Sequence, residues 1–74
     1  MIGSYLRQMR KSLGLSQEDL ARILNVSYAT VNRWEQNKNR PSRLAMQSID
    51  AFCTENHLRL ASQWLAEGGV LDEG

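Results

Sequence analysis

Apolar residues recur along this chain at intervals of three and four, the period of a helix with one face against a core. Tyr5, Leu6, Met9 and Leu13 form the first such stripe. It predicts a helix over residues 4–13, closed by Gly14 in the left-handed conformation. Next comes a helix-start signature. Ser16 is an N-cap, Asp19 can return its bond in a capping box, and Leu15 and Leu20 flank the cap as a hydrophobic staple. A helix over 17–24 follows, with Leu20, Ala21, Ile23 and Leu24 inward and Asn25 ending it. The same grammar repeats at Ser27, with Val26 and Val31 as the staple. This helix covers 28–36, turns Val31 and Trp34 inward and stops at Asn37.

Lys38-Asn39-Arg40-Pro41 reads as a polar loop, because proline disfavours helix in the residue before it. Ser42 caps a fourth helix with Ala45, Ile49, Phe52 and Cys53 on one face. A fifth, over 61–67, carries Trp64 and Leu65 and stops at Gly68-Gly69. No Gly or Pro lies between Ser42 and Glu67, so one longer helix is the alternative to a break at 54–57. Only Leu58-Arg59-Leu60 alternates like a strand. The pattern is all-α: a compact domain of four to five helices over 1–67, with 68–74 as a flexible acidic tail.

Only Asn25, Val26 and Ser27 join the second and third helices. So short a link sets them at a steep angle, roughly 90–120°. Ala21 supplies the small residue such an elbow needs. The far face of the third helix is then driven outward, with Tyr28, Ala29, Asn32, Arg33 and Gln36 on it. A face needed only for solubility would more often carry Glu and Lys.

Seventy-four residues hold one domain and leave little room for an enclosed catalytic pocket. No apolar run approaches a membrane span, and the first residues lack the pattern of a signal peptide. Cys53 and His57 are the chain's single cysteine and histidine, too few for an internal disulfide or a closed metal site. No cofactor or metal is expected, and a reducing cytoplasm is the expected setting. Cys53 and His57 are also the one conceivable nucleophile–base pair, and no third group orients them. The expectation is a protein that is not an enzyme. Cys53, Trp34 and Trp64 read as core.

The net charge of +1 conceals a division. Residues 1–43 carry eight basic side chains against three acidic, and residues 44–74 carry one against five. That asymmetry fits a polyanionic partner for the first part, or simply an unevenly charged solvated surface.

The stretch GLSQEDLARILNVSYATVNRWEQNKNRP, residues 14–41, resembles the helix-turn-helix of the phage repressor and Cro-like family, also called xenobiotic-response-element-type regulators. The likeness is close over 14–42 and looser over 5–67. It rests on Leu15-Ser16-Gln17, Leu20-Ala21, the three-residue turn, Trp34-Glu35 and Asn37-Lys38. Asn25 and Asn37 stand where that family often has Gly.

The resemblance implies a helix-turn-helix core at 17–36 whose second helix enters the major groove of double-stranded DNA. Ser27, Tyr28, Ala29, Asn32 and Arg33 match base-facing positions. Arg33 suits guanine, Asn32 suits adenine, and Ala29 or the Tyr28 ring suits a thymine methyl. The bland alternatives are a Tyr28 ring lying over its own helix start and an Arg33 held by a phosphate or a surface ion pair. Gln17 matches a backbone-clamping glutamine at a helix N-terminus. Gln36, Lys38, Arg40 and Arg43 are the other expected phosphate contacts, unless the loop is merely solvated; Arg7 and Lys11 extend the strip or face solvent. Arg10 and Glu35 match a structural salt bridge, with a phosphate contact as the competing role for Arg10.

The implied protein is a sequence-specific transcriptional regulator, a repressor acting as a homodimer on a palindromic operator. Leu58, Leu60, Trp64, Val70 and Leu71 are the candidates for its dimer surface, or else ordinary core. The second functional reading is an antitoxin, or another protein-binding module, gripping a protein partner through the acidic C-terminal half.

Overall fold

Side-chain caps start the helices that build the site. The computed structural model describes residues 2–69, with helices α1 (Ile2–Ser12), α2 (Gln17–Leu24), α3 (Tyr28–Glu35), α4 (Arg43–Glu55) and α5 (Ala61–Ala66). At α2 the capping box is complete. Ser16 Oγ accepts from the Asp19 N–H, and an Asp19 carboxylate oxygen accepts from the Ser16 N–H, both at 3.0 Å. Ser27 and Ser42 accept in the same way from Thr30 and Ala45, each at 3.1 Å. Asn25 and Asn37 both take the left-handed conformation, at φ 58°.

The bounds of α1, α3 and α5 differ from expectation by one or two residues, α1 stopping at Ser12 and α5 at Ala66, while the expected break before α5 is present. α1 begins at Ile2 rather than Ser4, because the Gly3 N–H finds an acceptor in Asn37 Oδ1 at 3.0 Å. α3 ends at Glu35, with Gln36 as its C-cap. The break between α4 and α5 exists, and a non-glycine residue makes it: His57 adopts φ 56°, after Asn56 Nδ2 has bonded the Phe52 carbonyl at 2.9 Å. Leu58–Leu60 is not a strand; it leads directly into α5. The N-cap residue of α5, Leu60, has no side-chain cap, and Asp50 of α4 supplies one by accepting from the Ser62 N–H at 3.0 Å.

α1 packs on α3 and α5, α2 on α3 and α4, and α4 on α5. Leu6, Leu20, Val31, Ile49 and Cys53 are fully enclosed at the centre, with Trp34, Phe52 and Trp64 around them. Ile23, expected inside, is 49% exposed. The stripe of Leu20, Ala21 and Leu24 already fills the contact, and Ile23 lies roughly 100° around the helix from its middle.

α5 is held by Trp64, whose ring centroid lies 5.0 Å from that of Tyr5. The Tyr5 hydroxyl donates to the Arg59 carbonyl, and Arg59 pairs with Glu67. Of the expected dimer-surface residues, Trp64 is therefore core, and Leu58 and Leu60 pack against the core. Val70 and Leu71, like the rest of 70–74, lie outside the described residues. No helix among the described residues is long and apolar enough to cross a membrane.

Candidate nucleic-acid interface

α3 is buried along Val31, Trp34 and Glu35 and open along the opposite side. Tyr28 is 50% exposed, and Ala29, Arg33 and Gln36 are exposed as well. Arg33 forms no ion pair among the described residues. Steps of four and three residues, from Ala29 to Arg33 and on to Gln36, place these side chains on a common face, with Tyr28 at its edge. Asn32 departs from the expected outward position. It is half-buried, because α2 presents Gln17 to it. Ser27 Oγ is occupied by its capping bond and by the Thr30 hydroxyl at 2.8 Å.

A line of polar side chains runs from the interior to this face. Arg10 meets Glu35 through two bonds, Nε to Oε2 at 2.8 Å and a terminal nitrogen to Oε1 at 3.0 Å. A further Arg10 nitrogen donates to the Leu15 carbonyl at 3.0 Å. The guanidinium is thus turned inward, away from the competing phosphate role. Gln17 Nε2 donates to Glu35 at 3.1 Å. Asn32 Nδ2 donates to Gln17 Oε1 at 3.1 Å, and Gln36 Nε2 donates to Asn32 Oδ1 at 2.7 Å.

Burial works to raise the proton affinity of Glu35. Hydrogen bonds from Arg10 and Gln17, with the charges of Arg10 and Arg7, outweigh it, and the carboxyl is held below the usual range. The bonds to Glu35 stabilise the charged form of Arg10 in return.

Beyond α3, Lys38, Arg40 and Arg43 line one groove together, above Ile2, Met46 and Leu65. All three cations are exposed, and none is ion-paired among the described residues. Gln17 is half-buried in the first turn of α2, with one amide N–H committed to Glu35 and the other left over. Cys53 and His57 are not a pair for chemistry. The thiol is buried against the Met9 sulfur at 3.5 Å, with burial raising its pKa, while His57 is exposed. Among the described residues no three His, Cys, Asp or Glu side chains gather as metal ligands.

Two residues named in the sequence for other roles make contacts that were not expected of them. Arg7 lies 3.7 Å from Glu35, as a second, more exposed cation. Asn37 reaches back to the start of α1. Helical spacing could have shown that Arg7, one turn before Arg10, also approaches Glu35; nothing local announces the reach of Asn37.

This arrangement is that of a helix-turn-helix protein, with α2 buttressing an exposed α3. A Cro/C1-type helix-turn-helix family model matches residues 6–53, and the chain belongs to that family. Among curated proteins it is similar to an uncharacterized HTH-type transcriptional regulator, YiaG, of Escherichia coli K12. The two are 46% identical over 37 residues, which are 50% of this chain and 38% of the relative. The counterparts in E. coli O6:H1 and O157:H7 match equally. The chain thus spans well under half the length of these relatives. No solved structure matches it significantly.

Proposed function

We propose that this protein is a sequence-specific DNA-binding transcriptional regulator that lays α3 in the major groove. The observation that carries the reading is the open face of α3, with Tyr28, Ala29 and unpaired Arg33 exposed opposite buried Val31 and Trp34. Arg33 presents paired donors to guanine, Ala29 and Tyr28 meet a thymine methyl, and Asn32 and Ser27 flank them. Lys38, Arg40 and Arg43 hold phosphates beyond α3, and Gln36 and the remaining N–H of Gln17 grip the strand nearby. Membership of the helix-turn-helix family supports the docking mode, and the likeness to E. coli proteins named as transcriptional regulators supports a regulatory role.

The activity is binding, carried out in the cytoplasm. It represses by occupying an operator. One reading helix spans few base pairs, so the chain works as a symmetric dimer on half-sites about one DNA turn, ~34 Å, apart. Among the described residues, Ile23, Leu44, which is 75% exposed, and Leu65 are the large aliphatic side chains left open for such a contact.

Two substitutions test the reading on operators selected from random duplex DNA. Arg33→Ala lowers discrimination at one base position by about 1–3 kcal/mol. Lys38→Ala weakens all sequences alike and reduces the salt slope by about one. Equal, sequence-blind losses from both variants would remove Arg33 from base reading.

A further inference from the structure

Glu35 is the buried charged side chain among the described residues, and it starts a chain of three side-chain amides. An ionised carboxylate can only accept hydrogen bonds. Gln17 must therefore turn its nitrogen to Glu35, which leaves its oxygen for Asn32. Asn32 must then give its nitrogen to Gln17 and its oxygen to Gln36. The bonds run in that order, at 3.1, 3.1 and 2.7 Å. One acceptor at the interior end dictates the direction of all three amides.

We infer that Glu35 is a positioning residue that sets the base preference of α3 without touching DNA, by fixing through Gln17 which end of the Asn32 amide faces which neighbour. The inference rests on the reading of α3 as the DNA-reading helix. The two ends of a primary amide are almost identical in shape and differ as donor and acceptor. Base edges in the major groove are told apart by that same difference. A free asparagine presents either pattern; one held by Gln17 and Gln36 presents a single pattern. Asn32 keeps one N–H and one lone pair outside the relay, so it retains an edge to offer a base. Glu35→Gln replaces the acceptor with a group of the same shape that can also donate, and the relay can then run in either direction.

The test has two arms on the full chain. In the first, NMR follows the side-chain amides of isotopically labelled protein. The native chain shows an Asn32 amide proton protected from exchange and coupled through its bond to Gln17, and Glu35→Gln abolishes that coupling. An Asn32 amide that exchanges freely in the native chain, or keeps its coupling in Glu35→Gln, overturns the relay.

In the second arm, bound sequences are selected from random duplexes. Asn32→Ala loses about tenfold discrimination at one base pair. Glu35→Gln loses it at the same base pair, and the double variant loses no more than either single one. Retained discrimination in Glu35→Gln, or a loss spread evenly over all positions, overturns the specificity role. If Glu35→Gln does not fold, Gln17→Met cuts the relay and leaves the Arg10–Glu35 pair whole. It loses the same single position on top of a uniform loss of affinity, and an intact preference there overturns the role. A native chain that selects no sequence defeats the reading of α3 and the specificity role with it, while the NMR arm still decides the relay itself.

Discussion

The backbone N–H of Gly3 donates to Oδ1 of Asn37 at 3.0 Å, tying the first turn of α1 to the left-handed residue just beyond α3. Asn37 thereby does two things. Its backbone turns the chain toward Lys38, and its side chain satisfies a donor that a helix start leaves without an intrahelical partner. Glycine could do only the first. The approach is close: a Cβ on Gly3 would stand 2.6 Å from the carbonyl oxygens of Trp34 and Glu35. The helix that carries Arg10 and the helix that carries Glu35 are thus pinned together at their ends.

Gly3→Ala should push these ends apart and cost about 1–3 kcal/mol, the usual range for overpacking. Asn37→Gly keeps the turn and loses one hydrogen bond, about 1 kcal/mol. Asn37→Ala adds roughly 1–2 kcal/mol of left-handed strain. Urea unfolding should rank Asn37→Gly above Asn37→Ala, and equal stabilities would contradict the account.

Removing Arg10 leaves a carboxylate whose side chain is only 1% exposed without its main partner. Arg10→Met should cost about 3–5 kcal/mol. Arg7, with 53% of its side chain exposed, contributes as a surface cation, about 0–1 kcal/mol. Thermal denaturation of Arg10→Met and Arg7→Met separates these cases; similar losses would mean that Arg10 is not the main partner of Glu35.

Acid should reveal Glu35. Its folded-state carboxyl titrates below the unfolded value, so in acid the folded chain binds fewer protons than the unfolded one. This stability is present above pH about 4.3 and is lost as pH falls through the folded pKa. Asp19 acts with the same sign, its carboxyl held down by hydrogen bonds with Ser16. Glu35→Gln should flatten the acid limb of the stability curve, and Asp19→Asn should remove a further part. An acid limb of unchanged slope in both would rule this out.

Alkali should reveal Tyr5. Burial, reinforced by Cys53, pushes its hydroxyl up from 10.0 to about 12. The folded chain therefore holds this proton longer than the unfolded one. The associated stability is present below pH 10 and is lost as pH rises toward 12. In a Tyr28→Phe background the remaining tyrosinate absorbance should appear near pH 12. A midpoint at the ordinary value would mean that Tyr5 is not enclosed by α5.

The second and third helices were readable almost to the residue. Ser16 with Asp19, Ser27 with Thr30, and the stop at Asn25 each lie within one or two turns of what they control. The exposed side of α3 was readable as well, because a three-residue link and the Val31–Trp34 stripe leave Tyr28 and Arg33 few places to go. The break at 54–57 was read against the alternative of one longer helix, but its cause was not, since a histidine in a left-handed turn carries no compositional mark. Ile23 was misplaced because the pattern counts apolar residues and cannot tell how many a short helix can bury.

The starts and stops of α2 and α3 and most of the core were thus inscribed in the order of residues, where each signal acts across a few neighbouring bonds. The Arg10–Glu35 pair was expected from the resemblance, whereas packing alone settled the line from Glu35 through Gln17 to Asn32, the union of Gly3 with Asn37 and the cap that Asp50 lends to α5. The partners in those contacts stand between 12 and 34 positions apart. Hydrogen bonds are directional and short-ranged, so such pairs acquire meaning only once hydrophobic burial has brought the helices within 3 Å or so of one another.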